Sequence, residues 1–215
     1  MATVTIGVDI GQKRDPTAVA VAQLEYRESE GRREDHWLIR FLERLPLGTP
    51  YPQVADRLSE IVENVRQQDP REVYETDALG QRWKRNERVE VSEVYADATG
   101  VGQPVVDELI ARSLPVTACY FTHGDRRTVE GSRVTIGKAW LVSRLQALSQ
   151  SKRIHLPHTT EAEAMEQELL DYEIKVDQNA NDRYGAFRVG SHDDLVTALG
   201  LAVQEEPWQP LIGRA

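Results

Sequence analysis

The run Thr3-Val4-Thr5-Ile6-Gly7-Val8, rich in β-branched residues, ends in a single carboxylate, Asp9, followed by Ile10 and Gly11. Side chains branched at Cβ have few rotamers to lose on a pleated surface and pack well there, so residues 3–11 read as a strand. A strand needs partners for its backbone donors and acceptors, and the next segments supply them. Gln12-Lys13-Arg14-Asp15-Pro16 is turn-like and residues 17–24 read as a second strand, so the two are expected to form a hairpin. Residues 27–35 are polar and read as a loop, and residues 37–45 make a third strand before Pro46. Connections this short join antiparallel neighbours.

From Tyr51 the apolar period lengthens. Val54, Leu58, Ile61, Val62 and Val65 form the stripe of an amphipathic helix lying on a sheet, ended by Asp69-Pro70. Residues 71–90 look like an insertion. There Arg82-Trp83-Lys84-Arg85 and Arg88 place basic residues around one aromatic, which suits either a solvated excursion anchored by Trp83 or a DNA contact by Arg82, Lys84 and Arg85. Strand character returns over residues 89–97. Pro104 suits the first turn of a helix with Val105, Val106, Leu109 and Ile110 on one side, and residues 114–121 form another strand. Strand, crossover helix and strand make a right-handed parallel unit. The polar residues 123–133 precede a helix whose apolar positions are Ile136, Trp140, Leu141, Leu145 and Leu148. Residues 154–157 are a short link, and a helix with an acidic face covers residues 160–170. Residues 172–176 and 184–189 look like a hairpin, and a last helix beginning near Ser191 carries Leu195, Ala198, Leu199, Ala202 and Val203 on one face. Three antiparallel strands followed by parallel strands, flanked by helices and with an additional β-hairpin near the C-terminus, is the order of an RNase H-like α/β fold with a mixed central sheet.

The chain has the size and mixture of a single domain over residues 1–215, with 40% hydrophobic and 28% charged residues. Its one cysteine, Cys119, excludes an intramolecular disulfide and a Cys-rich zinc site, and is expected to fill a strand as a small hydrophobe. There is no basic-then-apolar signal pattern at the N-terminus, and no apolar run approaches the roughly 18 residues of a membrane helix. A reducing cytoplasm is the expected compartment, with no membrane partner. The net charge of −9 argues against a whole-surface attraction to nucleic acid. Affinity for DNA would have to come from local basic clusters, metal ions or a companion domain.

Asp9 and Asp97 each stand near the end of a strand, and in this fold those strands are parallel neighbours that run to the same sheet edge. Like charges held that close are unfavourable without a cation between them, and Mg²⁺ or Mn²⁺, hard ions that prefer oxygen, would resolve the repulsion. Each acid also has a plain structural reading. Asp9 could close a turn, Asp97 could cap the helix after Gly100, and Ser191 with Asp194 could form a capping box at the last helix. The three positions together, at a spacing one fold makes converge, favour the metal site. Lys138, beginning a helix nearby, is a candidate phosphate contact or simply solvated. His192 adjoins the acids as a helper or a structural hydrogen-bonder. Gly100-Val101-Gly102 lacks the third glycine of a dinucleotide loop, and His155-Leu156-Pro157-His158 lacks further zinc ligands.

Gly7-Val8-Asp9-Ile10-Gly11, then Tyr95-Ala96-Asp97-Ala98-Thr99-Gly100-Val101-Gly102, then Ser191-His192-Asp193-Asp194-Leu195-Val196-Thr197-Ala198-Leu199 resembles the nuclease domain of the large terminase subunit of tailed bacteriophages, a branch of the RNase H-like (RuvC-like) nucleases. The resemblance extends over nearly the whole chain. It implies a hydrolase, an endonuclease that cuts concatemeric viral double-stranded DNA during genome packaging by two-metal-ion hydrolysis, with Mg²⁺ or Mn²⁺ ions. It implies that Asp9 bridges the two ions, that Asp97 completes one site, and that Asp193 or Asp194, with Asp194 favoured, supplies the third acidic ligand. It further implies an ATPase motor domain or subunit, a small terminase subunit and a portal as partners, in the cytoplasm of an infected or lysogenic host. The chain has no Walker A motif: Gly131 to Gly137-Lys138-Ala139 is one residue too long and lacks the Ser or Thr that holds Mg²⁺. The rival readings are a RuvC-type junction-resolving nuclease, which shares the fold and acids, and an RNase H-like module that only docks DNA or a portal. An actin-like ATPase half would need a second similar domain.

Overall fold

The structure is a computed structural model that describes residues 2–11, 15–29, 32–76, 80–100, 102–176, 182–185 and 193–205. The chain passes through β1 (Ala2–Asp9), β2 (Ala18–Ser29), β3 (Arg32–Arg44), α1 (Tyr51–Arg66), β4 (Arg71–Thr76), β5 (Arg82–Glu87) and β6 (Val89–Asp97). It continues with α2 (Gln103–Ala111), β7 (Val116–Thr122), β8 (Arg127–Glu130), β9 (Arg133–Gly137), α3 (Lys138–Gln150), β10 (Ile154–His155), α4 (Thr160–Asp171), β11 (Glu173–Val176), β12 (Asp182–Gly185) and α5 (Asp194–Ala202). Eight strands form one sheet in the order β10-β3-β2-β1-β6-β7-β9-β8, with β1 antiparallel to β2 and parallel to β6. This is the expected mixed sheet, antiparallel through β1, β2 and β3 and parallel through β1, β6, β7 and β9. Among the described residues no helix is long and apolar enough to cross a membrane.

The two faces of the sheet carry separate cores. Val4, Ile6 and Val8 point to α1 and α2, where they meet Val54, Leu58, Val105 and Leu109. On the opposite face α3, α4 and α5 pack over Ala18, Ala20, Tyr95 and Cys119. Strand alternation therefore sends Thr5, Gly7 and Asp9 towards α5. The helix lies unusually close there, because a Cβ on Gly7 would come within 2.0 Å of the Ala198 carbonyl oxygen and 2.4 Å of the Ala202 nitrogen. Thr5 fixes the approach by donating its hydroxyl to the Ala202 carbonyl at 2.6 Å. Gly200 plays the same part on the far side, where an added Cβ would meet Leu141.

Several expectations are corrected. Residues 27–35 are not a loop: β2 and β3 continue through them as a paired ribbon as far as Ser29 opposite Arg32. Their polarity is that of a solvated ribbon, in which Arg27 faces Glu34 across the strands and Arg33 stacks on Tyr26 with 3.5 Å to the ring centroid. Residues 123–133 contain β8 and the start of β9, an exposed edge whose polar residues hide its strand character. Ile136 belongs to β9, and the helix begins only at Lys138. Among the described residues β4 and β5 pair antiparallel with each other and with no other strand. The expected C-terminal hairpin is present as β11 and β12, antiparallel and separate from the main sheet; residues 186–189 of that expectation lie outside the described residues.

Candidate metal centre

Asp9 and Asp97 are level with each other. The last pair of the parallel β1–β6 register is Val8 with Ala96, so each acid stands one residue beyond it. That register depends on an irregularity: Val4 pairs with Val91 but Thr5 with Glu93, so Ser92 is an extra residue, held by its hydroxyl donating to the Val4 carbonyl at 3.1 Å. Without this bulge Asp97 would be displaced by one position and point to the apolar α1–α2 face. Beyond β6, Asp97 is tied into a turn, accepting the Thr99 N–H at 2.8 Å through Oδ1. The capping role expected for Asp97 is not observed, since the N-cap of α2 is Gly102.

α5 brings the remaining acids. It runs antiparallel to β1, with Ala202 over Thr5 and Ala198 over Gly7. Four helical residues rise about 6 Å and two strand residues about 6.7 Å, so one further step places Asp194 over Asp9. Asp193 is the N-cap and Asp194 the first helical residue. Ser191 and His192 lie outside the described residues, so the expected capping box and the helper role of His192 do too. Lys138, at the start of α3, puts Nζ 3.6 Å from Asp193 Oδ2 and 5.4 Å from the Phe121 ring centroid.

The charges of these groups act on one another. Asp9 is held well above the ordinary carboxylate range, first by burial and then by the charge of Asp97, with smaller contributions from Asp193 and Asp194; Lys138 opposes them. Asp97 is also raised by burial, offset by its hydrogen bonds to Thr99 and by Lys138. Asp194 is buried against Arg44 of β3, whose Nε donates to its Oδ2 at 2.5 Å. Glu168 of α4 pairs with the same guanidinium and accepts the backbone N–H groups of Leu195 and Val196 at 3.0 and 3.3 Å. Burial and the charge of Asp194 push Glu168 up to about 7, against the pull of Arg44 and the two N–H groups.

Among the described residues the acids here offer four carboxylates, an all-oxygen donor set that suits a hard divalent ion such as Mg²⁺ or Mn²⁺. Among the described residues no three acidic, His or Cys side chains are already drawn together as a closed metal cage. The reason is visible in the partners: Asp97 is turned to Thr99, Asp193 to Lys138 and Asp194 to Arg44. Side-chain rotation about fixed backbone positions is what a cation would have to drive.

Arg82, Lys84 and Arg85 are not brought to this centre. They lie on the β4–β5 hairpin, where Arg82 stacks on Tyr74 at 4.5 Å, Lys84 pairs with Glu72 and Arg85 with Glu87. Arg44 and Glu168 are the members of the centre that sequence reasoning missed. Arg44 looks like any strand-end arginine before Pro46, and Glu168 is one of several acids on its helix.

Solved structures of low sequence identity share this arrangement of elements. The large terminase nuclease from thermophilic phage G20c matches 95% of this chain and 82% of its own, at 21% identity and a TM-score of 0.62. The same nuclease with bound magnesium matches with a TM-score of 0.59, at 21% identity over 94% of this chain and 80% of its own. The chain has the fold of the large-terminase nuclease. The Thermus phage P74-26 large terminase nuclease domain shows the same likeness, at 20% identity and a TM-score of 0.58 over 94% of this chain and 78% of its own. No protein-family model and no curated protein sequence matches the chain.

Proposed function

We propose that this chain is a terminase nuclease, a divalent-metal-dependent endodeoxyribonuclease that cuts double-stranded viral DNA concatemers during genome packaging. The observation that supports the reading is the placement of Asp9 and Asp97 level with each other beyond the last β1–β6 pair, where the charges of Asp97, Asp193 and Asp194 all act on Asp9 and Lys138 opposes them. The magnesium- and cobalt-bound terminase nucleases of the same fold support it. Asp9, between the other acids, would hold two ions in common; Asp97 would complete one site and Asp193 or Asp194 the other. Two Mg²⁺ or Mn²⁺ ions bound there would act as Lewis acids, lowering the pKa of the attacking water and neutralising charge on the leaving oxygen. The α5 N-terminus adds a fixed positive dipole end facing the acids.

Lys138 would meet a phosphate oxygen of the bound strand once Asp193 turns from it, so its ammonium places DNA as well as balancing the acids. The cations of the β4–β5 hairpin, Arg82, Lys84 and Arg85, are outer phosphate contacts in this reading, each shared with a neighbour in its own hairpin. With a net charge of −9, DNA affinity should be weak and steeply salt-dependent, which suits a nuclease delivered to its substrate by an ATPase motor, a small terminase subunit and a portal in the host cytoplasm. The test is conversion of supercoiled plasmid to nicked and linear forms in Mn²⁺. Wild-type cleavage that persists in the Asp9→Asn variant would remove the reading.

A further inference from the structure

Arg44 belongs to none of the acidic motifs, yet the candidate centre is built on it. It ends β3 on a register row that runs from Arg44 through Ala18 to Asp9. Two strand spacings, about 9.5 Å, separate the ends of that row, and only the methyl group of Ala18 stands between them on the face that α5 covers. The guanidinium is forked between two acids, with Nε on Asp194 at 2.5 Å and Nη2 on Glu168. Glu168 in turn accepts the N–H groups of Leu195 and Val196, donors of the first helical turn that no carbonyl of α5 can reach. One side chain therefore fixes both the Asp194 carboxylate and, through Glu168, the backbone that carries it. The two acids are nearly enclosed, with 3% and 9% of their side chains exposed, and share this guanidinium.

Helix capping alone does not call for this. At the other helix N-termini the Thr159 side chain alone accepts the Ala162 N–H of α4, and α1, α2 and α3 begin with no side-chain cap. Among the described residues, two buried carboxylates on one arginine, a costly arrangement, stand at the α5 N-terminus, the end that faces Asp9. A planar guanidinium can hold two carboxylates in fixed directions, whereas an ammonium is a point charge without that geometry.

We infer that Arg44, braced by Glu168, is a positioning residue that sets Asp194 and the first turn of α5 against Asp9 so that the acids can bind divalent ions. This rests on the metal-nuclease reading above.

The experiment measures Mn²⁺ binding by electron paramagnetic resonance of the free ion, thermal unfolding in EDTA, and plasmid cleavage over a Mn²⁺ series. The variants are Arg44→Lys, Glu168→Gln and Asp9→Asn. Arg44→Lys and Glu168→Gln should weaken the Mn²⁺ Kd by about 10–100-fold, the usual effect of removing a partner that orients a ligand. Their melting temperatures in EDTA should stay near the wild-type value, and cleavage should return to within a few-fold of wild type at saturating Mn²⁺. Wild-type Mn²⁺ affinity in either folded variant overturns the inference, as does a loss of maximal rate with the Kd unchanged. Should Arg44→Lys fail to fold, Glu168→Gln decides, since its amide oxygen can still accept the α5 N–H groups while its hold on the guanidinium is weakened. Loss of binding in Asp9→Asn with normal binding in the other two rejects the role of Arg44 alone; normal binding and cleavage in all three rejects the metal-nuclease reading.

Discussion

β1 has two sides with different uses. Val4, Ile6 and Val8 face α1 and α2 in an apolar cluster, whereas Thr5, Gly7 and Asp9 face α5. The first side buries methyl and methylene groups and is where stability comes from. The second gives up that area: a hydroxyl, a bare backbone and a carboxylate occupy positions where larger apolar groups would fit the pattern. The gain is proximity, because a glycine lets α5 descend onto the strand and bring its acidic N-terminus over Asp9. A single strand thus separates an apolar core face from the face of the candidate centre by its period of two.

Substitutions on the two sides should therefore fail in opposite ways. The largest contrast is expected from Asp9→Asn, which should lower Mn²⁺-dependent plasmid cleavage at least about 100-fold, in keeping with the several kcal/mol that metal catalysis supplies. It should leave the melting temperature in EDTA unchanged or higher, since it removes a carboxylate that burial and Asp97 hold well above its ordinary range. A lower melting temperature would mean that Asp9 is a structural acid. Ile6→Ala, at a fully buried position, should cost about 2–5 kcal/mol in denaturant unfolding and spare cleavage by the folded fraction. Gly7→Ala sits between the two sides. Its Cβ would have to displace α5 backbone, costing about 1–3 kcal/mol by overpacking and also weakening Mn²⁺ binding by moving the acids apart. Normal Mn²⁺ affinity in Gly7→Ala would show that the centre tolerates a shifted helix.

The smallest effect is in the pH dependence of the metal-free protein. Asp9 and Asp97 have raised native pKa values, so the folded state binds more protons than the unfolded chain above about pH 4. Their contribution to stability is then lost as pH rises from there through the native values. Mg²⁺ requires the ionised acids, so the rise in melting temperature that it produces should grow over the same interval. Ile6→Ala should displace the whole curve without altering its slope, while Asp9→Asn should flatten it. A Mg²⁺ effect independent of pH would separate ion binding from these acids.

Much of this was legible from residue order. The β-branched run at residues 3–8, the helical stripe from Val54 to Val65 and the crossover after Asp97 each carry a local period, and the elements formed where that period placed them. The polar outer part of the β2–β3 ribbon and the edge strand β8 were not legible, because largely exposed strands lose the alternation that marks a half-buried one. At the centre, the acids announced themselves by type and position. Arg44 and Glu168 did not, since their meaning lies in contacts across 124 and 150 residues of chain.

By itself the sequence determined that Asp9 would close one strand and Asp97 another, because local propensity suffices for both; that the two strands are parallel neighbours followed only from the order of the elements. Only the tertiary structure decided that the two acids share a face. That depends on the extra residue Ser92, which resets a register whose period of two would otherwise send Asp97 to the opposite side. The tertiary structure likewise decided how Asp193 and Asp194 differ, one turned to Lys138 and the other to Arg44. Adjacent residues of one type are alike in sequence, and what separates them is the direction from which each counter-charge arrives.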